Sequence, residues 1–155
     1  MNKLLLAITH LAAVGLGFAA GIYLLPILSA PAAPSAAELA RESSGALYQG
    51  EFRRDLKDSD ALHWGEGRLS VGRTSITFAG RLAPGPAYRL YLSPEFVETE
   101  ADFLRLKPRM VQVGAIDTFE NFIVSVPPSV DVAQYTAAIV WCEAFSQFIT
   151  AARYR

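Results

Sequence analysis

Cys142 and His63 are the two side chains of this sequence whose chemistry extends furthest beyond folding. Cys142 is the single cysteine among 155 residues, so it forms no disulfide within the chain. Three roles remain open for it: a small buried hydrophobic residue, a reactive thiol, or a ligand for a soft metal or a haem iron. His63 is the only histidine after the N-terminal apolar run. The two residues form the only cysteine–histidine pair that the domain can assemble.

Hydrolytic and metal chemistry find little support beyond this pair. The sequence contains no G-x-S-x-G and no H-E-x-x-H motif. A closed zinc site needs four cysteine or histidine ligands, and the domain offers two. Asp55, Asp58 and Asp60 lie close together but alternate with basic residues, which favours a solvated loop over a calcium site. The sequence therefore predicts no catalytic residues, leaves a metal open and favours a domain that is not an independent enzyme.

Aromatic residues accompany Cys142 and define a candidate pocket. Trp141 and Phe145 flank the cysteine, and Tyr88 and Tyr91 lie on an earlier alternating segment. These four are candidate pocket-lining residues, although the same residues also suit a core. In a strand, Cys142 shares a face with Val140 and Ala138, and Trp141 lies on the other face with Ile139. One of these two sets is expected to face the core.

The N-terminal region is a candidate membrane anchor. No Asp, Glu, Lys or Arg occurs from Leu4 to Ala37, and the 25 residues Leu4–Leu28 are almost all apolar. A helix of that length spans a hydrocarbon core of about 30 Å. It exceeds a typical signal h-region, and Pro31 hinders cleavage after Ala30, so we expect a retained signal anchor. Lys3 before the run favours a cytoplasmic N-terminus and an extracytoplasmic domain.

The remaining sequence predicts a tether followed by a β-domain. Residues 29–46 are rich in Ala, Pro and Ser, with one helical turn expected near residues 36–42. Short alternating segments broken by turn residues then predict strands. They are Tyr48–Arg53, Gly67–Val71, Ser75–Ala79, Ala87–Leu92, Val111–Ile116, Asn121–Val126, Ala137–Glu143 and Gln147–Arg153.

Two segments depart from the strand pattern. Val97–Lys107 reads as a short capped helix ended by Pro108, and residues 131–135 as a helical turn. The fold prediction is an all-β antiparallel sandwich of about eight strands with one short inserted helix, after a transmembrane helix. The predicted organisation is an anchor at 1–28, a linker at 29–46 and the β-sandwich at 47–155.

Several of these residues together resemble the DM13 domain. The matching pieces are Gly50-Glu51-Phe52, His63 to Gly67, Gly85-Pro86, Tyr91-Leu92-Ser93, residues 113–116, Tyr135, and the run Ile139-Val140-Trp141-Cys142-x-x-Phe145. The resemblance covers about Leu47 to Tyr154. It implies an all-β domain whose single cysteine has been proposed to serve electron transfer, with haem or another redox group. Carried onto this sequence, it makes Cys142 the redox or ligand candidate and His63 its helper.

The functional prediction follows from the anchor and this resemblance together. It is a single-pass membrane protein, of bacterial type, whose periplasmic domain acts as a redox accessory or electron-transfer module through Cys142. One alternative is a non-catalytic binding or scaffolding module of the cell envelope, with Cys142 in the core. A second is a β-sandwich that binds a small molecule. The expected partners are the membrane and a redox or envelope protein. The nearly balanced charge, 14 basic against 15 acidic residues, argues against nucleic acid.

Overall fold

The first helix and the β-domain are distinct parts of the structure, a computed structural model that describes residues 2–155. Helix α1 spans Lys3–Ser29, and its Asn2 cap accepts a hydrogen bond from the Leu4 amide. It is the one helix among the described residues that is long and apolar enough to cross a bilayer, a property that signal sequences share. None of its residues is buried.

The domain consists of eight antiparallel strands in two sheets, as the sequence predicted. The first sheet has the order β1-β2-β3-β6, formed by Ala46–Phe52, Gly65–Gly72, Ser75–Leu82 and Glu120–Ser125. The second sheet has the order β5-β4-β7-β8, formed by Val111–Ile116, Tyr88–Ser93, Ala137–Cys142 and Gln147–Arg153. The fold is thus an all-β sandwich.

The core lies between the two sheets and is built by alternation along each strand. Tyr88, Leu90 and Leu92 of β4 point inward beside Val140 and Cys142 of β7. They meet a cluster of side chains from the first sheet, which includes Phe52, Leu69, Val71, Ile76, Phe78 and Phe122. Strand β7 is buried along its whole length because it is an interior strand with both of its faces covered.

The outer face of the second sheet is covered by helix α3, Glu100–Leu106. Thr99 caps this helix by accepting a hydrogen bond from the Asp102 amide. The helix predicted within residues 97–107 therefore begins after Thr99 and ends at Leu106. Phe103 stacks on Trp141, with ring centroids 3.9 Å apart and planes at 11°. A second hydrophobic cluster therefore lies outside the sandwich, with Trp141 at its centre.

The segment between α1 and β1 contains a second short helix. Helix α2, Ala36–Ser43, begins at a capping box in which Ser35 and Glu38 satisfy each other's backbone amides. Leu39 is buried where α2 packs against β3 and β6 of the first sheet. The Asn121 side chain also donates a hydrogen bond to the Pro34 carbonyl, 3.2 Å away. Most of the segment predicted as a tether is therefore fastened to the domain.

Candidate functional site

Cys142 lies at the end of β7, where two loops meet. Its Sγ donates a hydrogen bond to the carbonyl oxygen of Pro86, 3.1 Å away, in the loop between β3 and β4. The Glu143 amide donates to the Ala87 carbonyl at 3.2 Å, so the same loop is fastened to the start of the β7–β8 turn. Ala87 takes a φ of 53°, a left-handed conformation that is unfavourable for alanine. The backbone is therefore held in a constrained shape directly beside the thiol.

The environment of Cys142 favours the protonated thiol. The residue is 3% exposed. Burial raises the pKa of Cys142, and the backbone amides of Phe145 and Ala144 offset part of this effect. A nucleophilic or metal-binding cysteine normally has a lowered pKa, and the direction here is the opposite because desolvation outweighs the two amides.

His63 reaches the same end of the sandwich through the long loop that joins β1 to β2. Leu56 of this loop is buried in the cluster beneath α3, and the Asp58 amide donates to the Glu98 carbonyl at 3.1 Å. The loop thus crosses from the first sheet to the second. Asp60 then accepts hydrogen bonds on Oδ1 from the amides of Leu62 and His63, at 2.7 and 2.8 Å. These contacts fix the backbone around His63.

Asp60 also orients the His63 ring. Its Oδ2 lies 3.0 Å from Nδ1 of His63. The hydrogen bond with His63 lowers the pKa of Asp60, which keeps this carboxylate ionised. A carboxylate acceptor favours the proton on Nδ1, so Nε2 of a neutral ring is left as an acceptor. Sequence reasoning placed Asp60 in a solvated charged loop. Its position three residues before His63 was the signal that could have predicted the hydrogen bond between them.

A cavity of about 430 Å³ brings together four of the six candidate residues: Cys142, His63, Tyr88 and Phe145. Tyr88 is opposite Cys142 in the β4–β7 register. Its hydroxyl donates to the Ala83 carbonyl at 2.9 Å, and burial raises its pKa. Gly85 allows this packing, because a Cβ there would lie 2.4 Å from that hydroxyl. The other lining residues are Ile22, Tyr23, Leu62, Pro84, Gly85, Pro86, Gln147 and Ile149.

Trp141 and Tyr91 do not line this cavity, contrary to the prediction. Each lies on the outer face of the second sheet, beneath α3, because neighbouring residues of a strand point to opposite faces. Tyr91 donates to a carboxylate oxygen of Glu143, and Lys107 contacts both oxygens of that carboxylate at 3.0 Å. Burial alone would raise the pKa of Glu143, but its hydrogen bonds with Tyr91 and Lys107 outweigh burial and lower it. The sequence analysis had not identified this group.

The donors at the cavity fit a metal poorly. No cluster of three or more His, Cys, Asp or Glu side chains suited to a metal occurs within residues 2–155. Haem iron needs only one or two protein ligands, so Cys142 and His63 suffice in number. However, the Cys142 thiol is buried and donates a hydrogen bond to the Pro86 carbonyl, a contact that a coordinating thiolate would have to give up. The site therefore resembles a hydrogen-bonding pocket more than a coordination site.

Comparison with known proteins gives one match. Residues 52–154, about two thirds of the chain, match the family model described as Electron transfer DM13. The matched range contains seven of the eight strands, together with Cys142 and His63. No curated protein and no solved structure matches the chain.

Proposed function

The chain belongs to the DM13 family, and we propose that it is a membrane-anchored electron-transfer module whose redox group occupies the cavity beside Cys142. In this proposal α1 is retained as the anchor, and the β-domain lies outside the cytoplasm. The observation that carries the proposal is the convergence of Cys142, His63, Tyr88 and Phe145 on one cavity within the matched range. The matched description of the family supplies the electron-transfer class.

The residues around the cavity have separable tasks in this proposal. Tyr88, Phe145 and Ile149 exclude water from a bound group. The His63 ring, oriented by Asp60, exchanges a proton or a hydrogen bond with a polar atom of that group through Nε2. The Cys142 thiol, held by Pro86, contributes a polarizable wall. A small, mostly apolar pocket with a few polar groups is typical of a cofactor site.

The test is a difference spectrum of the full-length protein purified from membranes. We expect absorption to change between the oxidised protein and the dithionite-reduced protein, with metal analysis and mass spectrometry of an organic extract identifying the group. Cys142→Ser and His63→Ala should diminish or shift the change. His10→Ala, which alters the other histidine, should not.

Two outcomes would overturn parts of this proposal. A colourless, metal-free protein whose spectrum dithionite leaves unchanged would remove the electron-transfer function. A full difference spectrum in Cys142→Ser would remove the cysteine from it.

The second candidate function is a binding or scaffolding module of the cell envelope. The specific observation in its favour is the packing of Cys142, which is buried and hydrogen-bonded to a backbone carbonyl as a structural cysteine would be. Under this alternative the cavity has no redox role, and both site variants behave as packing mutations only. The difference spectrum decides between the two candidates.

A further inference from the structure

The cavity beside Cys142 is bounded partly by the anchor helix itself. Ile22 and Tyr23 of α1 line it together with domain residues. Ile22 and Pro26, one turn apart, are half-buried, whereas most of α1 is exposed. Pro26 lines a neighbouring cavity of about 470 Å³ on the other side of the Gly85-Pro86 loop. One face of the outer end of α1 therefore lies against the domain at the functional site.

The length of α1 sets the depth of this cavity in a bilayer. A hydrocarbon core of about 30 Å takes about 20 helical residues. If Lys3 stays at the inner surface, the outer boundary of the core falls near Tyr23, and tyrosine is a residue enriched at such boundaries. The cavity wall formed by Ile22 and Tyr23 would then lie level with the outer edge of the hydrocarbon core.

The domain residues at the cavity rim fit this position. Among residues 46–155, four large hydrophobic side chains are exposed: Leu47, Leu62, Leu104 and Phe145. Leu62 and Phe145, which are 59% and 51% exposed, both line the cavity beside α1. Exposed apolar side chains gathered next to a membrane helix gain free energy by contact with lipid. The mouth of the cavity is thus apolar on both its anchor side and its domain side.

The cavity lining also includes polar groups that an alkyl chain alone would leave unused. The His63 ring has Nε2 free of the Asp60 contact, and the Gln147 amide lies in the same lining. Gln147 Nε2 donates to Glu100 at 2.9 Å and to the Ser146 carbonyl at 3.2 Å, whereas its carbonyl oxygen accepts no hydrogen bond from the described residues. These groups suit a ring that carries oxygen atoms which both accept and donate hydrogen bonds as its redox state changes.

We propose that the cavity binds the head group of a membrane-dissolved quinone, which enters from the bilayer between α1 and the Leu62–Phe145 rim. This inference rests on the proposed function, because it assumes a retained anchor, and it names the class of redox group. Neutral His63 accepts a hydrogen bond from a quinol hydroxyl, and the protonated ring donates one to a quinone carbonyl. The apolar walls accommodate the ring, and the alkyl tail remains in the lipid.

The experiment uses the full-length protein in lipid nanodiscs and decylubiquinone as the probe. Its fully substituted ring does not add to thiols, so it can be combined with labelling of the single cysteine, read by intact mass. At a probe concentration ten times the dissociation constant, labelling of Cys142 by a methanethiosulfonate reagent should slow about tenfold. The dimethyl ether of the corresponding quinol, which has the same tail but no carbonyl or hydroxyl oxygen, should give little protection.

Rim variants test where the probe enters. Leu62→Ser and Phe145→Ser should each weaken protection about tenfold through lost apolar contact. Leu47→Ser and Leu104→Ser, matched exposed residues away from the cavity, should leave it unchanged. Near-ultraviolet circular dichroism verifies that each variant is folded, and the ring signals of His63 in NMR provide a readout independent of labelling.

Three results would overturn the inference: no protection by the quinone, equal protection by its dimethyl ether, or equal weakening by rim and control variants. If the dithionite difference spectrum is present but the quinone gives no protection from labelling, the proposed electron-transfer function stands and the quinone is removed from it. Quinone protection in a protein whose spectrum dithionite leaves unchanged would leave quinone binding standing and remove the proposed electron-transfer function.

Discussion

At the residue scale, the important property of Cys142 is that the fold keeps it protonated. The thiol is removed from water and donates to the Pro86 carbonyl, and burial raises its pKa. A nucleophilic or metal-binding cysteine normally has a lowered pKa and an electropositive surrounding. Here the next residue in the chain is the acidic Glu143, which raises the pKa of Cys142 further. The thiol is therefore better suited to hydrogen bonding and packing than to attack.

The first prediction concerns alkaline pH. In an unfolded chain the thiol ionises near pH 8.5, and tyrosines ionise near pH 10. Because the folded pKa of Cys142 is raised, the folded state retains a proton that the unfolded state releases in this interval. The free energy of unfolding should therefore fall between about pH 8 and 9.5. Urea unfolding of the full-length protein in detergent, followed by near-ultraviolet circular dichroism, measures this fall.

Cys142→Ala is the matched control for this dependence. The variant should lose stability overall but show a shallower decline across the same pH interval. Above about pH 10, the buried hydroxyls of Tyr88, Tyr91 and Tyr154, whose pKa values burial also raises, should destabilise both proteins alike. Identical slopes in the two proteins below that pH would show that the folded domain does not suppress ionisation of the thiol.

At the element scale, β7 separates two environments. Cys142 and Val140 face the inter-sheet core, whereas Trp141 and Ile139 face α3. The Lys107–Glu143 ion pair then joins the end of α3 to the β7–β8 turn. The candidate site and the α3 cluster thus lie on opposite faces of one strand.

The second prediction tests the packing of α3. Trp141→Ala should lower the free energy of unfolding by about 3–5 kcal/mol, because it removes a fully buried ring and leaves a cavity against Phe103. Trp141→Phe should retain most of the stability, since a phenyl ring preserves much of the apolar contact with Phe103. The half-exposed Phe145 is the control, and Phe145→Ala should change stability by less than about 1 kcal/mol.

Urea denaturation of the full-length proteins in detergent measures these differences. A loss below about 1 kcal/mol for Trp141→Ala would mean that the Phe103–Trp141 stack contributes little, and α3 would then be a loosely attached segment.

The strands and their alternation were largely predictable from the sequence, and the tertiary site was only partly so. The ranges Val111–Ile116 and Gln147–Arg153 were predicted to the residue. Neighbouring residues of a strand point to opposite faces, so the face of Trp141 relative to Cys142 was predictable as well. Periodicity does not show which face of a strand packs in the inter-sheet core and which packs beneath α3. Trp141 and Tyr91 were therefore assigned to the pocket, although α3 covers them.

The contacts between distant parts of the chain were beyond sequence reasoning. His63, oriented by Asp60, lines the same cavity as Cys142 because the β1–β2 loop crosses to the second sheet, where Leu56 and Asp58 fasten it. The contribution of Ile22 and Tyr23 depends on how α1 leaves the domain, and no local pattern encodes this. Helix α2 shows the same limitation, because its capping box predicts a helix but not the docking of Leu39 on the first sheet.

At the scale of the whole molecule, helix α1 and the β-domain meet at the candidate site, where both line the same cavities. Ser29, Ala30 and Pro31 line the cavity that also contains Gly85, Pro86 and Asp117. Only residues 30–35 separate the end of α1 from Ala36, where α2 begins and packs on the first sheet. With so little free chain between them, the domain is expected to stay close to the membrane surface rather than move on a long tether.

The last prediction is that the mature protein keeps its N-terminal helix. A signal peptidase would have to cleave near Ala30, where Pro31 follows directly and where the chain lies against the Gly85-Pro86 loop. A helix of 27 residues also exceeds what a cleaved signal needs and matches a bilayer. Intact mass of protein from the membrane fraction should therefore correspond to a chain that includes α1, and carbonate washing should not release it.

Pro31→Ala is the informative variant, because it should permit partial cleavage if proline is the main obstacle. A mature wild-type chain that starts near Pro31 or Ala33 would contradict the anchor and, with it, the route by which a membrane-dissolved molecule reaches Cys142.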